Sequence, residues 1–134
     1  MTAKTTAQKL LVKPGTTVWI SAGEHRPLLS PLPEGAAFAE DLAEAAVGVL
    51  FAADAASARH LLETHRDRLT APPVLWIAYP KGNKADINRD TLWPIAGEYG
   101  LRPNGQVAVD AVWSALRFRP LKEGEPPFTG GASR

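Results

Sequence analysis

Short apolar stretches recur along the chain and predict the strands of a sheet. Continuous apolar runs of about four to eight residues, bounded by turn-forming residues, are typical of strands that are buried on both faces. VGVLFA and VLWIAY are the clearest of these runs. The predicted strands span 17–21, 36–40, 47–52, 74–79, 106–109 and 112–118.

Two stretches have the period of a helix. Between 54 and 69 an apolar stripe recurs every three or four residues, and Asp54 can accept hydrogen bonds from the first backbone amides. The stripe consists of Ala58, Leu61, Leu62, His65 and Leu69. A second helix is predicted over 91–99, because Pro94 would then lie in the first turn and Gly100 would end the helix.

The alternation of strands and helices predicts an α/β fold with a mostly parallel sheet that helices cover. We expect residues 1–9 to form a flexible basic leader and residues 10–120 to form a single domain. Residues 121–134 are rich in Pro, Gly and charge, so we expect a flexible tail.

Composition excludes several kinds of site. The chain has 134 residues and no cysteine, so it can form one core but no disulfide, thiolate metal site or cysteine nucleophile. Its net charge of +1 leaves no broad basic face, which argues against a nucleic-acid partner. No run approaches the roughly 20 apolar residues of a membrane span, and the first residues do not resemble a secretory signal. We therefore expect a cytoplasmic protein without a membrane partner.

Three motifs resemble a family of small uncharacterised bacterial proteins, catalogued as a domain of unknown function. They are YPKG at 79–82, RDTLW at 89–93 and WSALRFRP at 113–120. The resemblance implies a compact bacterial α/β domain and brings no activity with it.

The order of elements from Val47 onward is also distantly similar to the core of class I S-adenosylmethionine-dependent methyltransferases. This resemblance implies a single, small, Rossmann-like domain of three layers with five to six strands. It implies the strand order 2-1-3-4-6-5, with the last-formed strand antiparallel between its neighbours. The chain departs from the family at the cofactor loop, where SAGEHRP contains only Gly23 and no acidic residue precedes it in the strand. We therefore expect no cofactor, and S-adenosylmethionine remains the alternative.

The common catalytic and phosphate-binding motifs are missing. The sequence contains no G-x-S-x-G elbow, no G-x-x-x-x-G-K-[ST] loop, no G-x-G-x-x-G loop and no H-E-x-x-H motif. His60 and His65 are separated by roughly 140° around one helix and cannot bind a single zinc ion together. We expect no catalytic residue and no metal, and His65 is expected to pack in the core.

Charged and polar residues follow the predicted parallel strands at their carboxyl ends. Ligands of open α/β sheets bind at this edge, where the strand order reverses. The candidate ligand-binding residues are Glu24, His25, Asp54, Tyr79, Lys81 and Lys84. A pocket that binds an anion or a nucleotide could use this combination of an acid, an imidazole and several cations. The structural alternative is that Asp54 caps a helix while the two lysines are solvated.

Trp113 and Arg117 form a second candidate site. Both lie on the same face of the last strand, and both residue types are enriched at binding hot spots. If both are exposed, they form a candidate interface pair. The alternative for the tryptophans is packing in the core, and Arg117 could equally stack or pair within the fold, with Asp110 or Glu98.

Two functions are consistent with these patterns. The first is a non-catalytic α/β domain that binds a partner protein or a small anionic ligand. The second is an enzyme, a minimal or degenerate relative of S-adenosylmethionine-dependent methyltransferases. Self-association is left open.

Overall fold

A computed structural model describes residues 5–29, 32–81, 86–87 and 89–120. The elements in chain order are α1 (Thr6–Lys9), β1 (Thr17–Ile20), α2 (Arg26–Leu29), β2 (Ala37–Phe38), β3 (Val47–Phe51), α3 (Ala55–Thr64), β4 (Val74–Pro80), α4 (Arg89–Gly97), β5 (Leu101–Ala108) and β6 (Trp113–Pro120). Two 3-10 turns, Gly23–His25 and Leu42–Glu44, precede α2 and β3.

The strands of the described chain form one six-stranded sheet in the order β2-β1-β3-β4-β6-β5. β2, β1, β3 and β4 are parallel, whereas β6 is antiparallel to both β4 and β5. The predicted α/β class is therefore confirmed, and so is the strand order that the methyltransferase resemblance implies.

The central strands are covered on both faces. Along β3, Val49 packs in a cluster with the buried Leu29 of α2. Leu50, the next residue, packs in a second cluster with Leu62 of α3 and Leu92 of α4. Successive side chains of a strand point to opposite faces, so a strand that is apolar throughout requires a cover on each side.

The N-terminal segment supplies part of the cover on the α2 face. Residues 6–9, within the predicted flexible leader, form α1, which begins with a capping box between Thr5 and Gln8. Leu10 is fully buried, and its carbonyl accepts a hydrogen bond of 2.9 Å from the indole nitrogen of Trp76 on β4. Helical structure therefore begins before residue 10, because this segment packs on the sheet.

The helix boundaries differ from the prediction. α3 ends at Thr64 and not near residue 69, because His65 leaves the helical conformation with φ −108° and ψ 17°. Leu69 is still buried, so it packs from the turns that follow the helix. α4 begins at Arg89 and not at residue 91, which places Pro94 inside the helix.

The fifth strand is longer than predicted. β5 spans Leu101–Ala108, whereas the apolar pattern predicts only 106–109. Pro103 is a signal against a strand, yet the register shifts between Pro103 and Gly105, and β5 is at the edge of the sheet. Proline is tolerated at edges and bulges because no ladder hydrogen bond is then lost.

Gly48 leaves room for a side chain from the loop before β3. A Cβ atom at this position would contact the Leu42 Cδ1 atom directly and would lie 3.3 Å from Leu75 Cδ1. Leu42 is 1% exposed and has little room to move. We expect Gly48→Ala to lower the free energy of unfolding by about 1–3 kcal/mol in urea denaturation.

Gly23→Ala is the matched control, because a Cβ atom at Gly23 has no neighbour within 4 Å. This substitution should change stability by less than about 0.5 kcal/mol. Equal effects of the two substitutions would contradict the packing argument.

Candidate functional site

The carboxyl ends of β1 and β3 meet where the strand order reverses. β1 lies between β2 and β3 in the sheet. The chain therefore passes from β1 to β2 on one side and then crosses to β3 on the other side. The buried Leu29 of α2 and the buried Leu62 of α3 belong to clusters on opposite faces of the sheet. Helices that diverge in this way leave a crevice at the strand ends, which is the usual ligand site of open α/β sheets.

Ser21 joins the two strands across this crevice. Its backbone amide donates to the Val49 carbonyl at 3.0 Å. Its hydroxyl oxygen accepts a hydrogen bond of 2.8 Å from the Phe51 amide. The side chain thus takes the place of a backbone acceptor at the point where β1 ends.

Three aromatic rings from three segments pack together at this edge, and we call His25, Phe51 and Trp113 the aromatic platform. The rings of His25 and Phe51 are stacked, with centroids 4.4 Å apart and an interplanar angle of 25°. Trp113 meets both rings edge-on at 5.2 Å. Phe51 is 7% exposed, whereas His25 and Trp113 are half-buried. The platform therefore covers the end of β3 and presents part of two rings to solvent.

Cationic residues lie on both sides of the aromatic platform. Arg26 follows His25, and its guanidinium carbon lies 4.8 Å from the centroid of the Phe38 ring on β2. On the other side, the Lys81 amide donates to the Val112 carbonyl at 2.8 Å, beside Trp113. The Arg26 side chain and the Lys81 backbone thus lie near the platform on its β2 side and on its β4 side.

The remaining residues of the loop after β1 and of the loop after β4 are less informative. Glu24 is exposed on the 3-10 turn before α2. Lys84 lies outside the described residues. Whether either contributes to a ligand site stays a prediction.

Asp54 has a structural role in the α3 capping box. It accepts hydrogen bonds of 2.8 Å from the Ser57 amide and 2.9 Å from the Ser57 hydroxyl. Asp86 accepts another bond of 2.8 Å from the Ala55 amide. Two carboxylates thus occupy amides at the start of α3, which favours the structural alternative over an anion site at this helix.

Tyr79 lies on the other face of the sheet from the aromatic platform. It is 5% exposed within the α3 and α4 cluster. Its hydroxyl accepts a hydrogen bond of 3.1 Å from Gln106, which also contacts the Ser114 hydroxyl at 3.4 Å. The structure therefore does not bring Tyr79 together with His25, although both were predicted to lie at the carboxyl ends of the parallel strands.

Trp113 and Arg117 share a face of β6, as the alternation predicts. Ala115, between them, packs in the α2-face cluster, whereas Leu116 packs in the opposite one. The two acids suggested as partners for Arg117 have other roles. Asp110 accepts from the Val112 and Trp113 amides in the turn before β6, at 2.8 and 2.7 Å. Glu98 forms an ion pair of 2.6 Å with Arg59.

His65, at the C-terminal end of α3, packs against an aromatic side chain. The His65 ring meets Trp19 edge-on with centroids 4.9 Å apart, and partial burial, followed by the Arg68 charge, lowers the pKa of His65. Among the described residues, no group of three His, Asp or Glu side chains could hold a metal ion.

Ser21, Phe51 and Asp86 are not among the candidate residues that the sequence patterns predict. Phe51 belongs to an apolar run that predicts only a strand, and Ser21 was the last residue of a predicted strand. Ser21 directly follows β1 and Phe51 is the last residue of β3, so their position at the strand ends was the one available signal. Their pairing depends on contacts between distant segments.

Solved structures with the same arrangement of strands and helices identify the class of fold. A protein of the NADB-Rossmann superfamily from Streptococcus agalactiae is 10% identical to this chain, with a TM-score of 0.56 over 97% of this chain and 72% of that protein. A protein from Listeria monocytogenes serotype 4b gives a TM-score of 0.58 at 10% identity, over 96% of this chain and 72% of that one. The chain therefore has a Rossmann-like fold.

A third similar structure is a proposed tRNA (m1A22) methyltransferase from Streptococcus pneumoniae. At 10% identity it gives a TM-score of 0.55, over 90% of this chain and 71% of that one. The same protein in complex with S-adenosyl-L-methionine gives a TM-score of 0.51, over 90% and 73%. No family model and no curated protein matches the chain. The resemblance to uncharacterised bacterial proteins therefore stays a prediction.

No helix in the described ranges is long and apolar enough to cross a bilayer.

The capping role of Asp54 predicts a dependence of stability on pH. Hydrogen bonds from the Ser57 amide, and then from its hydroxyl, lower the pKa of Asp54 below its ordinary value of 3.8. The carboxylate therefore stabilises the folded state above about pH 3.8, and this contribution is lost as the pH falls through the lowered pKa. We expect Asp54→Ala to lower the melting temperature at pH 7, and the difference from the parent to decrease as the pH falls through the lowered pKa of Asp54.

Asp54→Asn is the control, because asparagine also caps helices but carries no charge. It should retain more stability than Asp54→Ala at pH 7. A difference between parent and Asp54→Ala that does not change with pH in melting curves recorded below pH 7 would contradict a role for the charged carboxylate.

Proposed function

We propose that this chain is a non-catalytic, Rossmann-like binding domain whose ligand is a small anion that carries a planar aromatic ring, such as a nucleotide. The aromatic platform is the observation that carries the proposal. Its half-buried rings, His25 and Trp113, lie at the strand ends where such folds bind ligands. A planar ring can stack on them, because aromatic pairs at centroid distances of about 4.5–7 Å attract one another.

The charges beside the platform support an anionic ligand. Arg26 lies on the β2 side and Lys81 on the β4 side. A charged hydrogen bond contributes about 1.5–3 kcal/mol, so two such bonds contribute about 3–6 kcal/mol. This range corresponds to a dissociation constant between about 6 mM and about 40 μM, which stacking would reduce further.

The roles of the acidic and phenolic residues support binding without catalysis. A general acid or base has to lie within hydrogen-bond reach of the reacting group. Asp54 is part of a capping box, and the Tyr79 hydroxyl accepts from Gln106 on the opposite face. Both residues thus already have structural hydrogen bonds within the fold.

The alternative is a methyltransferase-like enzyme that uses S-adenosylmethionine. The similar structures favour it, since one of them was solved in complex with this molecule. The residues at the crevice do not fit the usual binding mode. The Ser21 hydroxyl bridges β1 to β3, and the His25 ring covers Phe51 at the strand end. We therefore assign no step of a methyl transfer to this chain.

Titration calorimetry with AMP, ADP and ATP tests the proposal on the full chain. We expect binding that His25→Ala weakens about 5- to 150-fold, because the loss of one base–aromatic stacking contact costs about 1–3 kcal/mol. At 100 times the dissociation constant, a bound nucleotide should also raise stability by roughly 2.7 kcal/mol.

His60→Ala is the matched control, because His60 is exposed on α3 and belongs to no part of the platform. It should leave nucleotide binding unchanged. Inorganic phosphate alone should bind more weakly than any nucleotide. Equal binding by parent and His25→Ala would contradict the proposal, and binding of S-adenosylmethionine alone would favour the alternative.

A further inference from the structure

A small apolar groove lies at the amino edge of the sheet, opposite the edge that carries the aromatic platform. It has a volume of about 200 Å³ and lies where β3 and β4 begin. Its lining is apolar apart from Lys13 and Thr16, and it includes Leu11, Val47 and Val74. Small-molecule sites have volumes of roughly 300–1,000 Å³. The groove is therefore of a size for a single large side chain.

Leu11 at the rim of this groove has an unfavourable conformation. Its φ of 70° lies in the left-handed region, and no other described residue except glycine has a positive φ. Its amide donates to the Gln8 carbonyl where α1 ends, a position that glycine usually takes. Leu11 and Val112 are also the large apolar side chains of the described chain that are exposed. Contact with an apolar surface outside this chain would compensate for the strain and for the exposure.

Positive charge lies on the β6 side of the groove. The Trp76 indole of β4 donates to the Leu10 carbonyl at 2.9 Å, which places this strand against the segment that carries Leu11. Arg117 of β6 pairs with Trp76 in the sheet. It is half-buried and takes part in no ion pair among the described residues. Arg119, two residues further along β6, lies on the same face and extends the positive charge toward the amino edge.

Two acidic residues lie on the β1 side of the groove. The Glu34 carbonyl accepts a hydrogen bond of 3.0 Å from the Gly15 amide, and the Glu44 carbonyl accepts one of 3.2 Å from the Thr17 hydroxyl. Gly15 and Thr17 lie on either side of a residue that lines the groove. Both acidic residues are exposed. Lys13 also lines the groove, so this flank carries two negative charges and one positive charge.

We propose that two copies of this chain associate through their amino edges, about a two-fold axis normal to the sheet. An axis in this direction places the β6 flank of each copy against the β1 flank of the other, so that Arg117 faces Glu34 across the interface twice. The Leu11 side chain of each copy then enters the groove of the other. A two-fold interface uses the same patch on both copies, and this patch is complementary to itself in charge. The proposal does not depend on the proposed nucleotide site, which lies at the other edge.

Sedimentation velocity over a range of protein concentrations tests the proposal on the full chain. We expect an equilibrium between monomer and dimer in the parent. Leu11→Gly should remove the dimer, because it deletes the side chain that enters the groove. Since glycine adopts a positive φ without strain, this variant should melt no earlier than the parent at concentrations where both are monomeric. Loss of the dimer would then not be a consequence of misfolding.

Val112→Ala is the matched control, because Val112 is the other exposed large apolar residue and lies just before β6, at the carboxyl edge. It should leave the dimer intact. A parent that stays monomeric at every concentration would overturn the proposal, and so would a dimer that Leu11→Gly does not weaken.

Charge reversal tests the direction of the two-fold axis. Arg117→Glu and Glu34→Arg should each be folded in circular dichroism but monomeric alone, because each places like charges opposite one another. A mixture of the two variants should form a mixed dimer, because both of its contacts then join an acid to a cation. Arg59→Glu, a reversal at an exposed position of α3, should leave the parent dimer unchanged. A mixture that associates no more strongly than either variant alone would refute the proposed arrangement.

Discussion

The pairing of β3 with β4 is the constraint on which the rest of the structure depends. The two strands are apolar on both faces, and their five paired positions run from Val47 with Val74 to Phe51 with Ala78. Apolar surface on both sides of a sheet has to be removed from water on both sides. α3 and α4 cover one face, and α2 with the N-terminal segment covers the other. The Trp76 indole, which donates to the Leu10 carbonyl, joins this second cover directly to the central strand.

The same constraint shapes the carboxyl edge. Because helices on opposite faces follow β1 and β3, their connecting loops diverge and leave a crevice. In this chain the crevice is spanned by the Ser21 hydroxyl and covered by the His25 ring on Phe51. Trp113 reaches the same place because β6 runs antiparallel and begins at this edge. The Rossmann-like framework is thus retained, while its ligand edge carries aromatic rings in place of a glycine-rich turn.

Most of the fold could be predicted because the strongest signals are local. Examples are the apolar runs of β3 and β4 and the capping residue Asp54. Each of these signals depends only on residues that are close together in the sequence. Predictions failed where a distant contact decided the outcome. β5 extends through Pro103 because β6 pairs with it, and α3 ends at the residue before His65, which packs against Trp19. Of the candidate site, His25 and Trp113 were named in advance, but as members of two separate sites.

The amino-acid sequence by itself determined the α/β class, the central strands and the absence of cysteine chemistry, because hydrophobic periodicity and residue type are local properties. Only the tertiary structure decided which side chains meet. Tyr79 and His25 both lie near the carboxyl edge, but Tyr79 packs in the cluster with α3 and α4, whereas His25 stacks on Phe51, which packs in the α2-face cluster. Phe51, indistinguishable in the sequence from its buried neighbours, contacts His25 and Trp113, which lie 26 residues before it and 62 residues after it. Contacts between such distant segments depend on strand order and register, and no local pattern specifies them.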